Sequence, residues 1–256
     1  MSTVRQIYEC IDRFAPFCTA ESWDNVGLLV EAKGAEVQKV LVALDITPDV
    51  AEEAREIGAN LIISHHPVIF DPLRRITSDN VVYLLAKHDI SAICAHTNLD
   101  VAQGGVNDIL AQRLCLQNVQ PLEPLDGNGL SLGRIGVLEE PMEAEQFLGK
   151  VKQKLGCNGL KYTQGRGKVG RVAVCGGAGA NLLYRAAELG TDALVTADSK
   201  HNLLLDAKRL GIMLIDAGHY CTEQVVLEPL AKRLRQAFPA LVVELSQREG
   251  DPVQYR

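Results

Sequence analysis

Slid along itself by 132 residues, the chain lies over its own sequence without a gap, residues 39–64 falling on 171–196. Val40 and Val42 meet Val172 and Val174, Ala54 meets Ala186, and Glu56 and Gly58 meet Glu188 and Gly190. Each copy reads as an apolar run, an amphipathic stretch and a second apolar run, the pattern of a strand–helix–strand unit. The next strands, ending Ile93-Cys94-Ala95 and Ile215-Asp216-Ala217, correspond at a shift of 122, with one residue inserted directly after them in the second copy. That insertion sets His96 over His219 and Asp100 over Glu223. A duplication of this kind constrains the fold to two similar halves in one chain.

Apolar runs at 40–44, 61–64, 92–95, 133–138, 172–175, 193–196, 213–215 and 241–245 are predicted strands. Helices are predicted between them, among others at 49–57, 79–87, 181–189 and 222–237. The first has a start signal, Thr47 as N-cap followed by Pro48 at the first helical position. Strands alternating with helices predict an α/β fold with largely parallel pairing. The segment PLEPLDGNG at 121–129 is rich in turn formers and separates the halves. Two α/β domains are therefore expected, 1–123 with His65, His66 and Asp100, and 124–256 with His219 and Glu223. The segment 157–170 holds four glycines and reads as a flexible connection.

Composition excludes some functions. A net charge of −6 argues against a protein that coats nucleic acid, which neutralises phosphates with clustered Lys and Arg. The nearest basic group, Lys232, Arg233 and Arg235, reads as the solvated face of a helix. Seven cysteines are scattered with no CxxC pair, as expected of reduced, mostly buried thiols in a cytoplasmic protein. The first residues, MSTVRQIYECIDRFAP, are amphipathic with charges interspersed and do not read as a secretion signal. No apolar run approaches the ~20 residues a membrane span requires.

The chemistry gathers past predicted strand ends. LIIS runs into His65-His66, AICA into His96 and Asp100, and LIDAG into His219 and Glu223. In open α/β sheets, ligand sites form at the carboxyl ends of strands, so these segments are expected to converge between the halves. The HxxxD and HxxxE spacings put a nitrogen and a carboxylate on one helix face. Imidazoles and carboxylates without thiolates suit Zn, Fe or Mn, and disfavour a closed structural zinc. Five ligands, His65, His66, Asp100, His219 and Glu223, with a carboxylate shared, would hold two ions ~3.5–4 Å apart. His96 reads as a further ligand, an orienting group or the acid–base catalyst, the last being the assignment taken here. His201 follows a strand and is a candidate to line the same cleft, as are Trp23, Asp24, Asn25 and Asp45. His88 carries no such signal.

Two glycine-rich segments are candidate phosphate sites. GRGKVG at 165–170 precedes a strand instead of following one, so it lacks the helix start that would hold a pyrophosphate. Gly176-Gly177-Ala178-Gly179 follows a strand and precedes a helix. It reads equally as a phosphate cradle of backbone N–H groups or as a tight packed turn.

The segments SWDNVGLLVE, ISHHPVIF, AHTNLD, CGGAG and DAGHYCTE, in this order, resemble the GTP cyclohydrolase 1 type 2 homologues, also called Ngg-interacting-factor-three-like proteins. The resemblance runs nearly end to end and is to the short bacterial form. It implies a dinuclear metal centre held by His65, His66, Asp100, His219 and Glu223, and a homohexameric toroid with the metal sites facing an inner cavity. One departure is Thr196-Ala197-Asp198, where many relatives carry glycine before the aspartate. The resemblance implies a metal-dependent hydrolase of a small molecule, with GTP the substrate the name suggests. A metal-handling or regulatory protein is the alternative, and a ring around nucleic acid is disfavoured by charge.

Overall fold

The structure, a computed structural model, describes residues 2–34, 36–125 and 130–256. It contains two compact units, Met1–Leu99 with Leu227–Gly250, and Asp100–Val226 with Asp251–Arg256. This division differs from the expected cut after residue 123, and strand pairing gives the reason. Gln117–Leu125 is a strand paired antiparallel with Leu130–Met142, so residues on both sides of the expected cut share one sheet. Its Pro121 and Pro124 are tolerated because this strand lies at the sheet edge, where a missing N–H breaks no ladder. The rest of the proposed linker, 126–129, lies outside the described residues. Near the other end, Val242–Leu245 pairs parallel with Lys39–Ala43 and so belongs to the first unit.

The first unit is built on a five-stranded sheet in the order Val242–Leu245, Lys39–Ala43, Leu61–Ser64, Ser91–Cys94, Gly27–Val30. The first four strands are parallel and the last is antiparallel. Every residue of Leu61–Ser64 and Ser91–Cys94 is buried, as expected of parallel strands covered on both faces. Helix Pro48–Ile57 packs Val50, Ala51 and Ala54 onto Leu41 and Ile62. Its start is the predicted one: the Thr47 hydroxyl accepts from the Val50 N–H at 3.2 Å, and Pro48 fills a position whose N–H has no helical partner. It stops at Gly58 in the left-handed conformation.

The second unit has a six-stranded sheet ordered Gln117–Leu125, Leu130–Met142, Val169–Val174, Ala193–Thr196, Met213–Asp216, Lys161–Tyr162. The central run from Val169–Val174 to Met213–Asp216 is parallel, and the outer pairings are antiparallel. Alternate residues feed two cores. Val172, Val174, Val195 and Ile215 pack on one face, and Ala173, Leu194 and Leu214 on the other, the two-residue period of a pleated strand.

Register repeats between the units. Val40 pairs with Leu61 and Val172 pairs with Ala193, both positions displaced by the same 132 residues that align the sequence. Predicted helix 222–237 begins earlier, as His219–Glu223, then passes through a 3₁₀ turn into Leu227–Ala237. Predicted helix 181–189 is a 3₁₀ turn, Ala180–Leu182, followed by Leu183–Glu188. The presumed connection 157–170 contributes an edge strand, Lys161–Tyr162, and the start of Val169–Val174. No described helix is long and apolar enough to cross a membrane.

Candidate metal centre

In the first unit, strand Leu61–Ser64 delivers two adjacent histidines with different surroundings. His65 is fully buried, and its Nδ1 lies 2.9 Å from the Ala95 carbonyl. A carbonyl only accepts, so the proton of the neutral ring sits on Nδ1 and the lone pair on Nε2. His66 leaves the strand half-buried, its N–H donating to the Leu44 carbonyl and its Nδ1 held 2.9 Å from Asp45 Oδ1. His96 follows strand Ser91–Cys94, its Nδ1 2.8 Å from Asp24 Oδ1. The three rings stand 5.0–5.4 Å apart centroid to centroid, and one donor nitrogen from each lies within 4.8 Å of the others.

Asp24 is the buried anchor of this cluster. Burial alone would push its carboxyl up, but hydrogen bonds from His96 and Thr97 outweigh it and hold it down to about 2. It is therefore ionised at neutral pH and keeps the His96 proton on Nδ1.

In the second unit, strand Met213–Asp216 is followed by Gly218, whose φ of 87° turns the chain into helix His219–Glu223. One helical turn brings His219 Nε2 within 3.0 Å of Glu223 Oε2, and Glu223 is buried. His219 Nδ1 lies 2.7 Å from Asp198 Oδ2. The hydrogen bond to Glu223 drives the His219 pKa up against the opposing effect of burial, and Asp198 adds to it; the value is pushed up to about 9. A proton thus sits where a cation would find an imidazole and a carboxylate ready to share it. Asp100 opens this unit in helix Thr97–Val101, its carbonyl accepting from the Asn107 amide at 2.9 Å. The Cys175 thiol is pushed above its usual range by burial first, then by the charges of Asp100 and Glu223.

The glycine loop proves to be packing. The N–H groups of Gly176, Gly177 and Gly179 are bonded to Asn107 Oδ1, Thr222 Oγ1 and Thr196 Oγ1. The phosphate-cradle reading of these three N–H groups is overturned. Their partners are inside the fold, and glycine is needed for closeness. A Cβ on Gly177 would collide with the Glu223 carboxylate and sit 3.2 Å from His219 Cε1, and its φ of 58° disfavours any side chain.

Asp198, in the sequence only the last residue of the departing segment Thr196-Ala197-Asp198, backs His219 as Asp45 backs His66. A signal was present: Asp45 and Asp198 each stand two residues beyond the end of a parallel strand. Asp198 adopts φ 49°, which Asp tolerates better than most residues. Asp24, Asp45 and Trp23 do stand at the histidine cluster, Trp23 edge-on to His96 at 6.2 Å. Asn25 instead ties two loops together. His201 is exposed at the start of helix His201–Leu210, and neither it nor His88 joins a group of metal-ligating side chains among the described residues.

An α/β chain whose parallel strands end in imidazoles braced at Nδ1 and in buried carboxylates is a candidate metal-binding protein. Comparison with known proteins gives the family. The profile of Duf34/NIF3 (NGG1p interacting factor 3) matches residues 2–252. A GTP cyclohydrolase 1 type 2 homolog of Clostridium perfringens is 31% identical over 98% of this chain and 99% of its own length. One from Lactococcus lactis is 36% identical over 94% and 95%. The crystal structure of a hypothetical protein from Staphylococcus aureus superposes with a TM-score of 0.93 at 34% identity, covering 99% of both chains. The chain belongs to the Duf34/NIF3 family.

Proposed function

We propose that His65, His66, Asp100, His219 and Glu223 together hold two divalent ions, Zn, Fe or Mn, and that the protein is a metal-dependent hydrolase. The observation that carries this reading is the common bracing of four imidazoles. His65, His66, His96 and His219 are each fixed at Nδ1 by an oxygen, which sets the ring and leaves Nε2 for a metal ion or, at His96, for a proton. The chemistry of the set fits two cations better than one. The histidines of the first unit bring neutral nitrogen donors, and Asp100 and Glu223 bring the negative charge that a pair of divalent ions needs. When bound, the ions would supply Lewis-acid activation of water near neutral pH.

His96 is assigned the proton. Ionised Asp24 keeps Nδ1 protonated, so Nε2 is the atom that takes or gives a proton during attack on the substrate. Asp45 and Asp198 are positioning residues that hold His66 and His219 in orientation. The names of the relatives make GTP the first substrate to test, and the resemblance adds a six-subunit ring of identical chains. Single-turnover assay of metal-reconstituted protein with GTP, beside the double variant His65→Ala/Glu223→Ala, tests the reading. Formate release that disappears together with the metal in the variant is expected. Retained metal-binding without turnover in the intact protein would overturn hydrolysis of GTP and favour metal handling.

A further inference from the structure

Three consecutive residues of the first unit divide their work. Asp24 is buried and holds His96, with its second oxygen accepting the Thr97 N–H at 3.1 Å. Asn25 donates its side-chain amide to the Ile69 carbonyl at 2.5 Å, which ties this loop to the one carrying Phe70. Trp23, between solvent and the imidazoles, is 59% exposed, and Phe70 is 52% exposed. Their ring centroids are 6.1 Å apart with planes tilted by 52°, and Trp23 meets His96 at 78°. Neither neighbour lies flat on the indole.

Exposing two large aromatic rings is costly in water, and holding them still costs conformational freedom as well. Here the Asn25–Ile69 bond joins the two loops next to the rings, and Asp24 holds its own loop to His96, so the pair stands beside the histidine cluster. We propose that Trp23 and Phe70 form a stacking subsite for a planar heteroaromatic ring of the substrate, a purine being the size and shape that suits it. The inference rests on the reading of the His65, His66 and His96 cluster as part of the reaction site. A ring stacked on Trp23 is placed next to His96, the residue assigned the proton. Stacking on an exposed aromatic side chain is the general way a planar heterocyclic base is held.

Trp23 is the single tryptophan of the chain, so its emission reports on this position alone. Full-length protein, metal-loaded and metal-stripped, would be titrated with GTP, with guanosine and with inorganic triphosphate. Quenching by GTP and guanosine in the metal-loaded protein, but not by triphosphate, is expected. Calorimetry should show guanosine binding about tenfold to a hundredfold weaker in Trp23→Leu, with partial recovery in Trp23→Phe and unchanged metal content. Undiminished guanosine binding in Trp23→Leu, or equal quenching by triphosphate, would overturn the subsite. A change of oligomeric mass in Trp23→Leu by light scattering would overturn it too, by assigning the rings to a subunit interface. Ring-specific quenching without hydrolysis would keep the subsite while removing the hydrolase reading. Hydrolysis with no quenching would do the reverse.

Discussion

His66 and His219 are braced alike by aspartates two residues past a strand end, but what faces their Nε2 atoms in the same unit differs. In the first unit, His66 is accompanied by two more imidazoles, and the carboxylates Asp24 and Asp45 stand behind the rings as anchors. In the second, His219 meets Glu223 directly, and a glycine loop is pressed against that carboxylate. The repeated register shows the same strand–helix–strand scaffold in both, with different donors at its strand ends. In the proposed centre the first unit would bring neutral nitrogens and the second would bring charge. Charge removal should therefore matter more in the second unit than loss of one imidazole in the first.

The largest expected effect follows from that asymmetry. Glu223→Gln keeps the shape but removes the charge, and should lose at least one ion, whereas His66→Ala should weaken binding and retain partial occupancy. Elemental analysis of dialysed samples checks this, and equal losses would break the comparison. Next come the anchors. Asp45→Asn and Asp198→Asn should each lower metal affinity by about 10–100-fold with the fold intact, as read by competition with a chelating dye. No change in either would mean the bracing is incidental.

Gly177→Ala sharpens the contrast further. Its left-handed backbone costs about 1–2 kcal/mol with a side chain, and the added carbon displaces the Glu223 carboxylate. Thermal unfolding should drop modestly and metal affinity should fall with it. Gly58→Ala in the first unit also has a left-handed φ but open space around it, so it should lower stability alone.

A pH slope in the first unit is expected as well. Burial pushes the Glu249 carboxyl up to about 7, with Asp45 and Glu53 adding repulsion against the pull of the Leu44 and Asp45 N–H groups. A raised carboxyl favours the fold at low pH. Its contribution is full below about 4.5, declines as pH rises toward 7, and is lost above that. Glu249→Gln should flatten the stability profile between these values, as followed by thermal melts across pH.

Much of this was legible in the sequence because it lay in periodic apolar runs. Leu61–Ser64 and Ala193–Thr196 were bounded correctly since each is a short, wholly buried strand with polar residues at its ends. The candidate ligands were legible because chemistry-bearing residues followed directly on those strands. The division into units was not, because it depends on Val242–Leu245 returning to pair with Lys39–Ala43, a contact some 200 residues apart in sequence. Turn-forming prolines in 121–125 pointed to a linker, while edge position made them compatible with a strand. The bracing role of Asp198 shows only when its strand-end position is set beside that of Asp45, since each carboxylate meets a histidine 21 residues away.

Anomalous diffraction from crystals grown with zinc or manganese tests the central claim most directly. The account predicts two peaks about 3.5–4 Å apart, with the Nε2 atoms of His65, His66 and His219 and the carboxylates of Asp100 and Glu223 at coordination distance. A single ion held by His65, His66 and His96 alone, or peaks with no ligand from Glu223, would contradict it.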